Sequence, residues 1–513
     1  MPLLAALVLT TICFLPPTRS ELTFTPNATH LFLDTEGLST STNLTFTLGD
    51  VSKDYASPAI TSEFPWEAGL HFYTSAIAVP ASLDPPTAVG EFRIYYSCFV
   101  KGSAMYLCLR VSPDGVSWTK PLSSAFPYNG SATNRVFEVN ASSPGSWPGS
   151  VFIDNRAGVP ASERFKLTYE GDGAQRLLYL AISPDGINWA RRTPEVPIIT
   201  SIRFSDTQTA IVFDAITSRY LAFGRNDLSL PGNTSTGCWG AWPSLRRVML
   251  AVSTVSADGP YSEPVQVLGP GLPDALDCLD IYNPAPISVS GALLLLPSSY
   301  LHYPATAAIP APLSNMTAND GVLDIRLAVS RDGLNFSFVS RDAFVSRGMG
   351  YRDLVNGAFT AVDSDLDAGF VFATAGGLID PQLLLLPQPT TSRMPTPPFP
   401  YNIPSARVSL LYFGTQRTHG GSISSGFQAV MKATLRREGW VAATSPSSDS
   451  FGMAEFFTLP LTVPTPNTTC GASTAQLWLL VNARTSVAGS IAVTLLDPNT
   501  LVPLPGFETP TTY

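Results

Sequence analysis

The chain of 513 residues carries 30 Lys+Arg against 39 Asp+Glu, a net charge of −9, and only 13% of its residues are charged, about half the ~25% usual for globular proteins. With 45% hydrophobic and 10% aromatic residues it is not a disordered acidic chain. Five lysines and no Lys/Arg-rich run exclude the basic footprint of a nucleic-acid binder. Forty-six Pro and 38 Gly spread along the chain predict many turns and few long helices.

Residues 2–17 read PLLAALVLTTICFLPP. The apolar core is about a dozen residues, short of the ~20 that span a membrane. Small residues follow at Thr18 and Ser20, so residues 1–20 are expected to be a secretory signal peptide. A buried N-terminal strand is the other reading, because no Lys or Arg precedes the apolar run. Asn-x-Ser/Thr acceptor sequences stand at Asn27, Asn43, Asn129, Asn140, Asn233, Asn315, Asn335 and Asn467. They agree with a secreted, extracellular, glycosylated chain. No second run reaches spanning length. Residues 21–59 read as an N-terminal segment packing on the domain formed by residues 60–440.

Outside the leader the cysteines are Cys98, Cys108, Cys238, Cys278 and Cys470, an odd number that leaves one over. Cys98 and Cys108 lie symmetrically about residue 103 in two strand-like runs. A hairpin centred there sets them opposite each other, within reach of a cross-strand disulfide; two buried thiols are the alternative. No Cys-x-x-Cys motif or His/Cys cluster occurs, so no structural zinc, metal or cofactor is expected.

One segment recurs. It runs from Tyr106 through Ser112-Pro-Asp114-Gly115 to Trp118. It returns from Tyr179 through Ser183-Pro-Asp185-Gly186 to Trp189, and from Ile325 through Ser330-Arg-Asp332-Gly333 to Phe336. A looser copy holds Ser253 and Asp258-Gly259, and a fifth runs from Ala429 to Glu438-Gly439-Trp440. An alternating strand leads in, Asp-Gly supplies the positive φ angles of a tight hairpin, and an aromatic opens the next strand. Strand runs upstream of each turn keep the phase: Glu91–Cys98, Arg164–Tyr169, Arg219–Phe223, Ala292–Leu296 and Arg407–Phe413. Before those come Leu70–Val79, Ser150–Ile153, Thr209–Phe213, Ala285–Val289 and Ala358–Val362. Residues 381–406 read as a Pro-rich insertion. Four strands per ~70-residue repeat predict an all-β chain. Residues 60–440 form a five-bladed β-propeller, and residues 441–513 a small C-terminal β-sandwich-like domain.

These features resemble the five-bladed propellers of the invertase, levansucrase and arabinanase type, closest to secreted glycoside hydrolase family 32 N-terminal-domain-like proteins. The matching residues are His30-Leu-Phe-Leu-Asp34, Phe64-Pro-Trp-Glu67, Tyr95-Tyr96, Arg164-Phe-Lys-Leu, Asp280-Ile-Tyr282 and Arg437-Glu-Gly-Trp440. The resemblance covers about residues 28–507 and implies a carbohydrate-facing role. The invertase signatures Asn-Asp-Pro-Asn-Gly, Arg-Asp-Pro and Glu-Cys do not occur. Two readings therefore stand: a glycosidase hydrolysing O-glycosyl bonds, and a lectin-like or structural protein.

Topology sorts the acids. In a four-stranded blade, strand one starts at the axial, ligand-binding face and strand two returns to it. The Asp-Gly turns lie on the opposite face, so Asp114, Asp185, Asp258 and Asp332 are structural. Loops entering strand one supply the candidate catalytic carboxylates Glu67, Asp206, Asp280 and Asp353. Glycoside hydrolysis needs two such groups. Arg352 joins them, and strand-two ends add Glu170, Arg225 and His302. Trp66 and Tyr282 offer aromatic faces for a sugar. The substrate-binding set is thus Trp66, Arg225, Tyr282, His302 and Arg352, and the partner an oligo- or polysaccharide.

Overall fold

The computed structural model describes residues 22–23, 31–35, 38–56, 58–81, 83, 90–100, 104–139, 147–171, 177–201, 204, 208–214, 217–229, 244–271, 279–289, 292–302, 321–349, 365–380, 407–416, 418–419, 428–444, 454–458, 461–462, 492–497, 499–508 and 511–512. Among them the regular structure is β throughout, save two single-turn 3₁₀ segments at Pro65–Glu67 and Ala161–Glu163. The chain divides into two compact units, one of residues 46–443 and one of residues 1–45 with 444–513.

Three free-standing four-stranded antiparallel sheets occupy the middle of the larger unit. Sheet two holds Pro148–Ile153, Phe165–Gly171, Leu177–Ser183 and Ala190–Arg191. Sheet three holds Ala210–Asp214, Arg219–Ser229, Ser244–Ser253 and Val265–Leu268. Sheet four holds Pro286–Val289, Ala292–Leu295, Ala328–Ser330 and Ser337–Phe338. A three-stranded sheet of Leu279–Ile281, Ser298–His302 and Gly321–Ile325 accompanies it.

Ser123–Tyr128 pairs with Ser131–Thr133 as a separate hairpin, and nine further strands of the larger unit form one sheet. A single parallel bridge between Ser75 and Ala375 joins its antiparallel halves. Sheet one is Gly69–Val79, Glu91–Phe99, Met105–Ser112 and Arg135–Val139. Sheet five is Phe370–Ile379, Arg407–Thr415, Gln428–Arg436 and Val51–Asp54. Each first strand contacts the first strand of the next sheet in chain order, and that of sheet five returns to sheet one.

The core lies between neighbouring sheets, because side chains alternate across each strand with period two. In Glu91–Phe99, Ile94, Tyr96 and Cys98 pack with Phe370, Phe413 and Val430 of sheet five. Tyr95 points the other way, into a cluster with Leu167 and Tyr169 of sheet two. Leu178 and Leu180 meet Tyr220 and Met249 of sheet three. Leu221 and Phe223 of sheet three meet Leu293 and Leu295 of sheet four. With both faces buried, these strands read as nearly continuous apolar runs.

The recurring turns are built alike. Ser112 Oγ accepts from Gly115 N at 2.8 Å, and Asp114 Oδ1 accepts from the backbone N–H groups of Val116 and Ser117, both at 2.8 Å. Ser183 and Asp185, and Ser330 and Asp332, repeat the pattern. The expected two-residue hairpin with both central residues at positive φ is not what forms. Only the glycine is left-handed, at 74°, 73° and 71° for Gly115, Gly186 and Gly333. The carboxylate does the folding instead, as an Asx turn. These turns also dock: Tyr95 Oη of sheet one donates to the Gly186 carbonyl at 3.0 Å. A Cβ on Gly186 would stand 2.6 Å from that oxygen. The fifth copy departs again, with Glu438 at φ 59° and Trp440 stacked on Phe344 at 6.0 Å.

Other expectations are corrected. The first strand of sheet five is Phe370–Ile379, whereas Ala358–Val362 lie outside the described residues. Residues Val51–Asp54 and Ile60–Thr61 are strands paired with Gln428–Arg436, so part of the 21–59 segment is sheet. Cys98 and Cys108 form a disulfide with Cα atoms 5.9 Å apart. They are not directly opposite, however. Cys108 opposes Tyr96 and Cys98 opposes Tyr106, so the bridge is diagonal.

The smaller unit pairs Leu38–Thr42 with Glu455–Thr458, Leu22–Thr23 with Leu461–Thr462, and Ala492–Val493 with Thr511–Thr512. Leu31 and Leu33 are buried, and Phe32 packs on Phe456 at 5.7 Å between ring centroids. No helix among the described residues is long and apolar enough to cross a membrane.

Candidate functional site

Two buried carboxylates anchor two different clusters. The first is Asp280, in the strand Leu279–Ile281, directly opposite Tyr300. Residues two apart share a face of a strand, so Tyr282 joins Asp280, and His302 joins Tyr300. His302 Nε2 meets Asp280 Oδ2 at 3.1 Å, with both side chains buried. The Tyr300 and His302 rings lie 3.9 Å apart, and Tyr282 and Tyr300 5.8 Å apart.

Two further sheets complete this cluster. Arg225, from the second strand of sheet three, sets its guanidinium carbon 4.7 Å from the Tyr282 ring centre. That is cation–π distance. His419 follows the second strand of sheet five. Its Nε2 is 3.2 Å from Tyr282 Oη and its Nδ1 3.3 Å from Tyr300 Oη. Each ring nitrogen of His419 thus bonds one phenol, so the imidazole bridges Tyr282 and Tyr300. Phe372 lies 5.5 Å from Tyr282 and 5.8 Å from Tyr73, and Tyr73 meets Trp147 edge-on at 5.8 Å. Trp147 accepts through its carbonyl from Glu170 N at 2.9 Å. An aromatic row thus leads from Trp147, whose carbonyl bonds the Glu170 backbone, through Tyr73 and Phe372 to Tyr282.

Of the sequence-predicted residues, Arg225, Asp280, Tyr282 and His302 come together here. His419 and Tyr300 were not singled out. The rule that named Arg225 and His302, an ionisable group at the end of a second strand, also reaches His419. Asp206, Arg352 and Asp353 lie outside the described residues.

The second cluster holds Glu67, which is fully buried. Its Oε1 accepts from Tyr96 Oη at 2.5 Å. Its Oε2 accepts from the backbone N–H of Glu63 at 3.0 Å and of Phe64 at 3.2 Å, and from Lys120 Nζ at 2.7 Å. Four donors hold it: Tyr96 of sheet one, two backbone N–H groups just before the 3₁₀ segment, and the Lys120 ammonium. Burial, and then the Glu67 charge beside it, push the Tyr96 hydroxyl well above the usual tyrosine range. Trp66 is 5% exposed, stacks on Phe64 at 4.4 Å and donates Nε1 to Asn134 Oδ1 at 2.9 Å. Its faces are used in packing. Beside them a groove of about 330 Å³ is lined by Glu63, Phe64, Arg110, Trp118 and Lys120. Burial raises the Glu63 carboxyl, but Arg110 and Lys120 outweigh that and leave it lowered.

Asn43, Asn129 and Asn335 are exposed; the other acceptor asparagines lie outside the described residues. Among the described residues, no group of three or more His, Cys, Asp or Glu is arranged to hold a metal ion.

No family model matches this chain, and no curated protein matches it. Among solved structures it is similar to an N-acetylgalactosamine deacetylase from F. plautii in complex with blood group B trisaccharide. Identity is 14% over 78% of this chain and 97% of that one, with a TM-score of 0.44. It is also similar to a thermostable family-43 glycoside hydrolase, 12% identical over 79% and 98%, with a TM-score of 0.42. A third is the catalytic domain of the Coprinopsis cinerea GH62 α-L-arabinofuranosidase, 12% identical over 76% and 98%, with a TM-score of 0.39.

Proposed function

We propose that this chain is a secreted, carbohydrate-active protein of the five-bladed propeller type, with a signal peptide at residues 1–20 and a glycosidase site at Asp280. The observation that carries the reading is the meeting of Arg225, Asp280, Tyr282, His302 and His419, drawn from three parts of the ring of sheets. Cations, imidazoles and phenols around one carboxylate supply what a sugar needs: donors and acceptors for hydroxyls, and flat apolar faces for the ring.

In this reading Asp280 is one of the two carboxyl groups that hydrolysis of a glycosidic bond requires. His302 fixes its rotamer. Arg225 and His419 hold substrate hydroxyls, and the second carboxylate comes from Glu170, Asp206 or Asp353. Glu67 and Trp66 anchor the entry to sheet one and stay outside the chemistry. The test is release of reducing ends from a panel of oligo- and polysaccharides, with Asp280→Asn as the inactive control.

Binding without cleavage is the second reading. It is favoured by Glu67, whose carboxylate is committed to four protein donors, leaving sheet one without a reactive acid among the candidates. Retention of the chain on a glycan that it never cleaves, lost in Arg225→Ala, identifies that case.

A further inference from the structure

We propose that Asn335 carries an N-linked glycan whose first N-acetylglucosamine is seated in a groove between the outer strands of sheets three and four. The groove has a volume of about 400 Å³, within the ~300–1,000 Å³ of small-ligand sites. One wall is Gln266 to Gly269 with Gly271. The other is Phe336, Ser337, Phe338 and Arg341. The acceptor sequence is Asn335-Phe336-Ser337, so two of its three residues are themselves groove wall. Asn335 itself immediately precedes this wall in the chain.

The asparagine is held ready. Its side-chain Nδ2 donates to Asp332 Oδ2 at 2.6 Å, and its backbone N–H donates to Asp332 Oδ1 at 2.8 Å. N-glycosylation takes the sugar from a lipid-linked sugar diphosphate: the Nδ2–C1 bond forms as the C1–O bond to the diphosphate breaks, and one of the two Nδ2 hydrogens leaves as a proton. The hydrogen that remains can keep the bond to Asp332, which fixes the side chain and hence the direction in which the sugar leaves. The walls suit an acetylated amino sugar. Phe336, Phe338 and Val267, each partly exposed, offer apolar surface for the ring and acetyl methyl, and Gln266 and Ser337 offer polar groups for the amide and hydroxyls. A Cβ on Gly269 would stand 2.7 Å from Gln266 Nε2, so a side chain there displaces Gln266 on the same wall.

Sheet two provides an internal comparison. Asn188 occupies the same place in its turn and donates to Asp185 Oδ2 at 2.7 Å. It is followed by Trp189-Ala190, so it cannot be an acceptor. Asn129, an exposed acceptor in the turn between Ser123–Tyr128 and Ser131–Thr133, serves as a reference outside the groove.

The experiment uses the full chain secreted from a eukaryotic host, with glycopeptide mass spectrometry before and after peptide-N-glycosidase treatment of the native protein. The expected result is occupancy at Asn335, abolished by Ser337→Ala. Native release should be about tenfold slower at Asn335 than at Asn129, the factor that ~1.4 kcal/mol of seating gives. Gly269→Trp, which fills the groove from the outer strand, should bring the two rates together. An unmodified Asn335 beside a modified Asn129, equal native rates in the parent, or no response to Gly269→Trp each overturns the proposal. Absence of sugar at every acceptor site overturns it together with the secretory assignment, while cleavage or retention of glycans by the same material reads the Asp280 site separately.

Discussion

Asp280 and Glu67 are both fully buried acids, and they are held in opposite ways. Glu67 is held by four donors, two of them backbone N–H groups just before its 3₁₀ segment and one the Lys120 ammonium. This cage closes the chain's entry into sheet one. Asp280 is placed by strand register among groups that can change partners: an imidazole, a ring-stacked guanidinium and two phenols bridged by a second imidazole. A carboxylate fixed by backbone donors cannot reorganise around a substrate. One held by side chains that also face a shared cluster can. Burial alone therefore does not mark a reactive acid; the kind of donor does.

The sharpest way to break this comparison is to neutralise each acid at constant shape. Asp280→Asn should lower glycan cleavage by about a hundred- to ten-thousandfold while leaving the thermal midpoint unchanged. A variant as active as the parent removes Asp280 from the chemistry. Glu67→Gln should do the reverse and cost about 2–3 kcal/mol in urea unfolding, because Tyr96 and two backbone N–H groups lose a charged acceptor and Lys120 keeps only Glu63, at 3.2 Å. Adding Lys120→Met to Glu67→Gln should recover part of that loss. If the double variant is as unstable as the sum of the single ones, the pair is not coupled as described.

Smaller effects sharpen the frame around the two acids. The diagonal bridge joins cysteines separated by 10 residues. Removing it with Cys98→Ser/Cys108→Ser should cost about 2–3 kcal/mol, a little under the cost for a 15-residue loop, read as a shifted urea midpoint. The least effect belongs to the Asp-Gly turns. Burial raises the Asp332 carboxyl, but the backbone N–H groups of Asn335 and Leu334 outweigh it and bring it down to about 2. The folded value lies below the unfolded value of about 3.9. Its stabilisation is therefore complete above that pH and lost as pH falls through about 2. Because the turn is exposed, the effect should stay below about 1 kcal/mol. Asp332→Asn should flatten the acid limb of the stability profile by that amount, and an unchanged limb would show that the turn does not titrate.

Much of the larger unit was legible because its turns repeat. Ser, Asp and Gly at fixed offsets mark the end of each third strand, and counting back from them locates Glu91–Phe99, Phe165–Gly171, Arg219–Ser229 and Ala292–Leu295. The count fails in sheet five, where residues 381–406 intervene between the first and second strands, so backward phase lands on 358–362 instead of Phe370–Ile379. Val51–Asp54 escaped for another reason. Its residues, Val-Ser-Lys-Asp, carry no apolar alternation, and only its partner Gln428–Arg436 makes it a strand. In the site, Arg225, Asp280, Tyr282 and His302 were reachable from strand ends alone. The cage around Glu67 was not, because backbone N–H donors and a lysine more than fifty residues away leave no spacing to read.

The fourth strand of sheet five comes from the start of the larger unit, and that imposes an order on synthesis. Asp54 emerges from the ribosome early, but its partner Lys432 is made only when the unit is nearly finished. Throughout translation Val51–Asp54 is an edge without its neighbour, the condition in which strands pair with the wrong chain. Its lysine and aspartate, which made it invisible as a strand, also guard that edge while it waits. A nascent chain stopped before Gln428 would hold four complete sheets and an open seam, so the ring of sheets closes at the last step or not at all.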